Sequence, residues 1–272
     1  MDLKKLPHKT RSVLSGALRR FLDVFQMFFF DPVVVLRKWL ALPYFFKNWR
    51  SYKQAQQAQS FSIALQNIYY SSADRFSTAG AGGHYFFQDI WAAKKVLEMT
   101  GGGANNHVDV GSRLDGFVAH LLAYCKVTYV DIRPLPIVVE GLKFIKGTIL
   151  KLPFENDSCE TLSCLHVIEH IGLGRYGDEV DPDGHIKAAR ELTRILKPSG
   201  TLLIGTPVGR ERLCFDGHRI FDPETVLRMF SGLDLVEFSL IDDKGQRVIE
   251  NASIEQARSC DYGCGLFHFV NP

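Results

Sequence analysis

Residues 106–131, NHVDVGSRLDGFVAHLLAYCKVTYVD, decide the fold class. NHVDV and KVTYVD are short and apolar, as expected of buried strands, and DGFVAHLLAYC between them has helical spacing. Strand, helix and strand in that order imply a parallel pair with the helix crossing one face of a sheet. The alternation continues in both directions. A helix is expected at HYFFQDIWAAKKVLEM (84–99), before this unit. After it come strands at KFIKGTI (143–149) and ETLSCLHV (160–167), then an amphipathic helix at HIKAARELTRILK (185–197), stopped by Pro198 and Gly200. A strand at TLLIGTPV (201–208), a helix at PETVLRMF (223–230) and strands at LDLVEFSLI (233–241) and GLFHFV (265–270) complete the pattern. The expected fold is α/β: a Rossmann-like, mostly parallel sheet covered by helices on both faces. Ligands of such sheets bind at the carboxyl ends of the strands, where strand order reverses.

The turn after the first strand narrows the ligand. Gly111 and Gly116 have the spacing of a phosphate-cradling loop, but Phe117 and Val118 follow where Lys and Ser/Thr are needed. A dinucleotide turn needs a second glycine where Arg113 stands. S-adenosylmethionine carries no phosphate and tolerates a less open turn. Asp131 closes the second strand about 20 residues after Gly111, where a carboxylate either accepts hydrogen bonds from a ribose diol or caps the strand end.

Four pieces now form one pattern: VDVGS (108–112), VDIRP (130–134), KGTILKLPFENDSCETLSCLHVIEHI (146–171) and LKPSGTLLIGTP (196–207). Over residues 84–242 the chain resembles class I SAM-dependent methyltransferases. More narrowly, HVIEHIGLGRYGDEVDPDGH (166–185) with HRIFDP (218–223) resembles a bacterial methyltransferase-like family catalogued as a domain of unknown function and associated with surface-polysaccharide biosynthesis. The resemblance implies S-adenosyl-L-methionine as cofactor, held by Asp109, Gly111 and Ser112 at one end, Asp131 at the ribose, and Thr148, Leu150 and His166 elsewhere in the cleft. Arg113 and Asp115 replace two glycines of the family turn, and Thr148 stands where an acid often meets the adenine amine. These departures leave open a degenerate fold that binds a ligand or partner without catalysis.

The run 166–185 leaves the fourth strand at the end nearest the transferable methyl. Its glycines let the backbone turn tightly. His170 is the leading candidate base, with Glu169 and His166 beside it, because hydroxyl methylation needs proton removal. Arg175, Tyr176, Asp178 and Asp181, with Asp216, His218 and Arg219 from the next polar loop, are candidates for holding a small or lipid-linked, hydroxyl-bearing, sugar-like acceptor. The pattern H-x-x-E-H lacks a second carboxylate, so no metal is expected.

Residues 1–82 read as a helical, basic-aromatic extension and linker, and residues 83–272 as the α/β domain. The 272-residue chain has a net charge of +2, yet residues 1–53 carry 11 Lys/Arg against 3 Asp/Glu. RSVLSGALRRFLDVFQMFFF (11–30) has the spacing of an amphipathic helix ending before Pro32. VVVLRKWLALPYFF and the basic KNWRSYK follow. The segment either packs as an extension or lies on an anionic membrane surface. No apolar run is long enough to span a bilayer, no secretory signal is evident, and the main domain has no dense basic-aromatic surface for nucleic acid. Six irregularly spaced cysteines suggest reduced thiols, so the expected location is cytoplasmic, with peripheral attachment to the inner face of the membrane as its extension.

Overall fold

The computed structural model describes residues 32–57, 63, 70, 71, 74, 82–101, 106–215 and 217–272. The chain divides into two compact units, Met1–Ala81 and Gly82–Pro272. The helix expected at 11–30 and most of the STAGAGG linker lie outside the described residues. In the first unit a single helix, α1 (Pro32–Ala55), joins the apolar segment and the basic stretch, with Pro43 inside it. Among the described residues no helix is long and apolar enough to cross a membrane.

The second unit is built on a seven-stranded sheet of order β3-β2-β1-β4-β5-β9-β8. Its strands are β1 (Asn106–Val110), β2 (Lys126–Asp131), β3 (Leu142–Lys146), β4 (Cys159–Leu165), β5 (Leu196–Val208), β8 (Asp234–Ile241) and β9 (Gly263–Val270). Only β9 runs antiparallel to its neighbours. This is the mostly parallel, Rossmann-like sheet predicted from the sequence. Order reverses between β1 and β4, which places the switch point at the centre of the sheet.

Strand periodicity sorts the core into two layers, because successive side chains point to opposite faces. Val108, Val110, Leu162, Cys164, Leu202 and Ile204 pack with Ala188, Leu192 and Ile195 of α4 (Gly184–Ile195). Val127, Tyr129, Leu165, Leu203 and Leu266 pack with Trp91 and Val96 of α2 (His84–Thr100). Phe117 and Leu121 join that second layer from α3, which is π-helical over Leu114–Val118 and α-helical over Ala119–Leu121. Burying strands on both faces is what makes them read as near-continuous apolar runs.

Three local features differ from the sequence reading. Helix α4 ends at Ile195, not Lys197, because LKPSG opens β5 as a bulge: Cys159 pairs with Leu196, and Thr161 with Thr201. Proline is tolerated there because the bulge excuses it from the hydrogen-bond ladder. The segment after β5 forms a small hairpin, β6 (Arg212–Cys214) with β7 (His218–Ile220). Helix α5 (Pro223–Met229) follows where expected, but a further helix, α6 (Ile254–Arg258), went unread. Its capping box of Ser253 and Gln256 was visible as Ser-x-x-Gln.

One polar seam lies inside the α2/α3 face. His107 Nδ1 meets Thr161 Oγ1 at 3.0 Å, and His107 Nε2 meets Ser163 Oγ at 2.8 Å. Ser163 also donates to Asp109. Burial pushes the Asp109 carboxyl up to about 7, despite its bonds from Ser112 and Ser163. The same burial lowers His107 to about 3. The two act in opposite senses. Asp109 contributes stability below about pH 4 that is lost as pH rises towards 7; His107 favours the fold at higher pH and opposes it as pH falls below about 6.5. In Asp109→Asn, which keeps the shape and loses the titration, stability relative to wild type should rise with pH between about 4 and 7, by up to about 1.4 kcal/mol per unit. Urea denaturation across that range measures the difference; parallel curves would show that Asp109 does not titrate there.

Candidate active site

The carboxyl ends of β1, β2 and β4, with the turn after β3, enclose a cleft of about 620 Å³, open solvent included. Apolar Val110, Ile132, Ile149, Leu150 and Val167 supply much of its wall, and Asp131, Thr148, His166, His170, Tyr176 and Asp178 bring polar groups to it.

Gly111, at φ +71°, turns the chain out of β1, and a Cβ there would stand 3.1 Å from Val167. Glycine is therefore required by the approach of the β4 loop as well as by the dihedral. The other turn residues do not enter the cleft. Arg113 pairs with Asp115 at 2.7 Å and lies over the Tyr85 ring, so an arginine at this place in the turn does not fill the cleft. Gly116 is needed for packing, since a Cβ would fall 2.2 Å from Asp89 Oδ2 on α2. Asp109 and Ser112, expected at the cofactor, face inward. Ser112 donates from its amide and hydroxyl to Asp109, and its Oγ accepts from the Leu165 amide at 3.0 Å. Both residues are almost fully buried because they tie β1 to β4.

Asp131 does reach the cleft, with its carboxylate already engaged. Arg133 donates from Nη2 at 2.6 Å, from Nε at 3.0 Å and from its amide at 2.8 Å, and the Tyr129 hydroxyl donates at 2.9 Å. Burial would raise this carboxyl, but Arg133 and Tyr129 hold it below its ordinary range. Arg133 also stacks on Tyr176, 4.7 Å from the ring centroid, joining the β2 end to the 166–178 loop. Sequence reasoning missed Arg133, although its place two residues after Asp131 was a usable signal. Thr148 and Leu150 line the cleft together, with the Leu150 amide donating to Thr148 Oγ1.

On the fourth-strand loop, Glu169 sits between two imidazoles. His166 Nδ1 donates to Glu169 Oε1 at 2.8 Å, while His170 Nε2 lies 3.7 Å from the same oxygen. Burial would raise Glu169, and His166 overrides it, so the carboxylate stays ionised. Burial alone would lower His166; Cys264 and Glu169 together raise it well above the usual histidine range. His170 donates from Nδ1 to the Gly217 carbonyl at 2.7 Å, which leaves Nε2 as the acceptor nitrogen. Burial lowers its pKa, so it is neutral near pH 7. Glu169 thus hydrogen-bonds His166, whereas His170 is oriented by a backbone carbonyl of the β6–β7 turn.

Several expected acceptor residues instead hold the loop. Arg219 donates to the carbonyls of Ile171 at 2.7 Å and Pro182 at 3.2 Å. Asp178 accepts from the Gly172 and Tyr176 amides, and Asp181 pairs with Lys187 at 2.7 Å. Gly172, at φ +78°, closes this loop so tightly that a Cβ would overlap the Asp181 carbonyl. Arg175 donates to the Gly217 carbonyl at 2.9 Å and lies over Tyr176. His218 is buried, its ring 6.3 Å from that of His170. Asp216 lies outside the described residues. Of the expected acceptor group, Tyr176 and Asp178 line the cleft.

A family model described as "Caenorhabditis protein of unknown function, DUF268" matches residues 155–261, less than half of the chain. That description names Caenorhabditis where the sequence reading expected a bacterial family. No curated protein matches the chain. Among solved structures, the chain is similar to the N-methyltransferase NodS from Bradyrhizobium japonicum WM9 in complex with S-adenosyl-L-homocysteine, at 18% identity over 68% of this chain and 88% of that one, with a TM-score of 0.48. It is also similar to the YcgJ protein of Bacillus subtilis, at 18% identity over 67% and 98% of the two chains and a TM-score of 0.47. A 1,6-didemethyltoxoflavin-N1-methyltransferase from Burkholderia thailandensis matches at 13% identity over 67% and 78%, with a TM-score of 0.46.

Proposed function

We propose that the second unit is a SAM-dependent methyltransferase acting on the hydroxyl of a small or lipid-linked, sugar-like acceptor. One observation carries the reading: a single cleft takes Asp131 from the end of β2 and a neutral, carbonyl-oriented His170 from the loop after β4. The residues present fit a nucleoside cofactor. Ile132, Ile149 and Leu150 offer apolar contact to a flat ring, Asp131 offers a carboxylate to a diol, and Gly111 keeps the floor free of a side chain. When bound, the cofactor supplies an electrophilic methyl group on a sulfonium. An unactivated hydroxyl is a poor nucleophile, so the protein must take its proton. His170 Nε2 is the acceptor for that proton, Gly217 fixes the ring, and the Glu169 carboxylate 3.7 Å away stabilises the imidazolium that forms. Tyr176 and Asp178 present a phenol and a carboxylate to acceptor hydroxyls from the same wall.

A second reading has its own observation. The Asp131 oxygens are already occupied by Arg133 and Tyr129, so a ribose must share them. If it does not, the fold binds a ligand or partner without transferring methyl. Calorimetric titration with S-adenosyl-L-homocysteine separates the two. The enzyme reading expects binding that Asp131→Ala weakens by about 1.5–3 kcal/mol, roughly ten- to a hundred-fold. Unchanged affinity in a folded variant would remove Asp131 from the site. With an acceptor in hand, His170→Ala should lower turnover by about a hundred-fold or more and leave cofactor affinity nearly intact. Equal loss of binding would make His170 a structural residue.

For the first unit we propose attachment to an anionic membrane surface. Helix α1 exposes Trp39, Leu40 and Phe46 and carries Arg37, Lys38, Lys47, Arg50 and Lys53. The full chain should sediment with anionic vesicles at low salt, less at high salt, and not with neutral ones. Equal partitioning to both vesicle types would leave α1 as a packed extension.

A further inference from the structure

Three side chains from distant parts of the second unit converge beside the cleft, and methyl transfer uses none of them as a proton acceptor. His84 is the first residue of α2, His166 follows β4, and Cys264 lies in β9. One donor atom from each lies within 4.8 Å of the other two. The His84 and His166 rings lie parallel with centroids 5.7 Å apart, and Tyr262 stacks on His84 from 4.9 Å. The start of α2 is fixed where this grouping needs it: the Gly83 amide donates to the Gly245 carbonyl at 2.8 Å.

The decisive atom is His166 Nε2. It is buried and makes no hydrogen bond of ordinary geometry, interacting instead with the Cys264 sulfur, while the other nitrogen of the ring is committed to Glu169 at 2.8 Å. Buried polar atoms are nearly always paired, so a nitrogen left facing a thiol and a second imidazole calls for a partner of another kind. A carboxylate holding the far nitrogen of a histidine is the usual support of a metal-ligating imidazole, since it sets the tautomer and raises basicity. The backbone of His166 adds to the cost, with φ at +54° in a non-glycine residue.

We propose that His84, His166 and Cys264 form a binding site for a zinc-class divalent cation. Two imidazoles and a thiolate suit a borderline-soft ion, not magnesium or calcium. Tetrahedral zinc, with bonds of about 2.0–2.3 Å, places its ligand atoms about 3.5 Å apart. The present separations, within 4.8 Å, would have to contract to that as the cation binds. Three protein ligands leave a fourth position for water or a ligand, the arrangement of catalytic zinc sites, not structural ones. His166 is also a wall residue of the cleft, so that fourth position is adjacent to the bound small molecule. The sequence pattern led to no metal being expected. The ligands instead come from three elements that no spacing rule connects. Cys264 binds as a thiolate, its proton passing to solvent as the cation enters, so affinity falls at lower pH.

The test is titration of the full chain, stripped with a chelator, with Co²⁺ and then Zn²⁺ in competition. The expected result is one equivalent of Co²⁺ with a thiolate-to-cobalt charge-transfer band, displaced by Zn²⁺. Cys264→Ser should abolish the band and, like His84→Ala, weaken Zn²⁺ binding by about a hundred-fold or more, while Cys260→Ser changes neither. Glu169→Gln, which keeps the hydrogen bond and loses the charge, should weaken binding by about ten- to a hundred-fold. Circular dichroism in chelator establishes that each variant is folded, and His84→Ala, at a helix start, is the one least able to disturb the core. Cobalt bound without a thiolate band, no binding by wild type, or wild-type affinity in folded Cys264→Ser and His84→Ala would overturn the proposal. In those cases His166 is explained as an imidazolium paired with Glu169 and facing the Cys264 sulfur.

Discussion

Past Val108↔Leu162 and Asp109↔Ser163 the two central strands stop pairing. Everything else in the site follows from that divergence. Diverging parallel strands leave backbone groups without partners, and buried groups of that kind are costly. The Ser112 hydroxyl fills the gap. It accepts from the Leu165 amide of β4 and donates to Asp109 of β1, so the sheet is closed by a side chain where its ladder ends. The strands can then splay at their carboxyl ends without exposing polar backbone, and the cleft is the space they leave. Its position at the reversal of strand order is a consequence of topology.

The loop that crosses this cleft is held from behind by charged groups bonded to its own backbone. Arg219 collects the carbonyls of Ile171 and Pro182, and Asp178 collects the amides of Gly172 and Tyr176. A segment with so many glycines loses much chain entropy on folding. Charge-assisted hydrogen bonds are the interactions strong enough to offset that cost locally. The result is a rigid wall that presents few groups, Tyr176, Asp178 and His170 chief among them. The hairpin β6–β7 is part of the same device, because its turn supplies the Gly217 carbonyl that sets the His170 tautomer and also takes Arg175.

Behind the wall, Glu169 is a fully buried carboxylate with imidazoles on two sides. Such a charge persists in a low-dielectric interior only when it is paired and hydrogen-bonded. His166 does this directly, and Thr206 adds a longer hydroxyl contact at 3.4 Å. The arrangement links two chemistries through one carboxylate: a neutral histidine facing the cleft, and a second histidine whose remaining nitrogen faces Cys264.

Much of this was legible from residues 106–131 and 146–208 alone, because strand and helix periods report which faces are buried. The alternation determined the parallel sheet, the cleft at its carboxyl edge and the arrival there of Asp131 and His170. It also carried Asp109 and Ser112 to the end of β1, where their side chains are buried against β4. A period of two states which face a residue takes and says nothing of its neighbour across the sheet. Asp109 meets Ser163, 54 positions away, and the period gives no hint of it. The same limit hid the clamp by Arg219 and the grouping of His84, His166 and Cys264. Tertiary structure alone decided those, because hydrogen bonds and metal ligands act over a few ångströms between residues that only the folded sheet brings together.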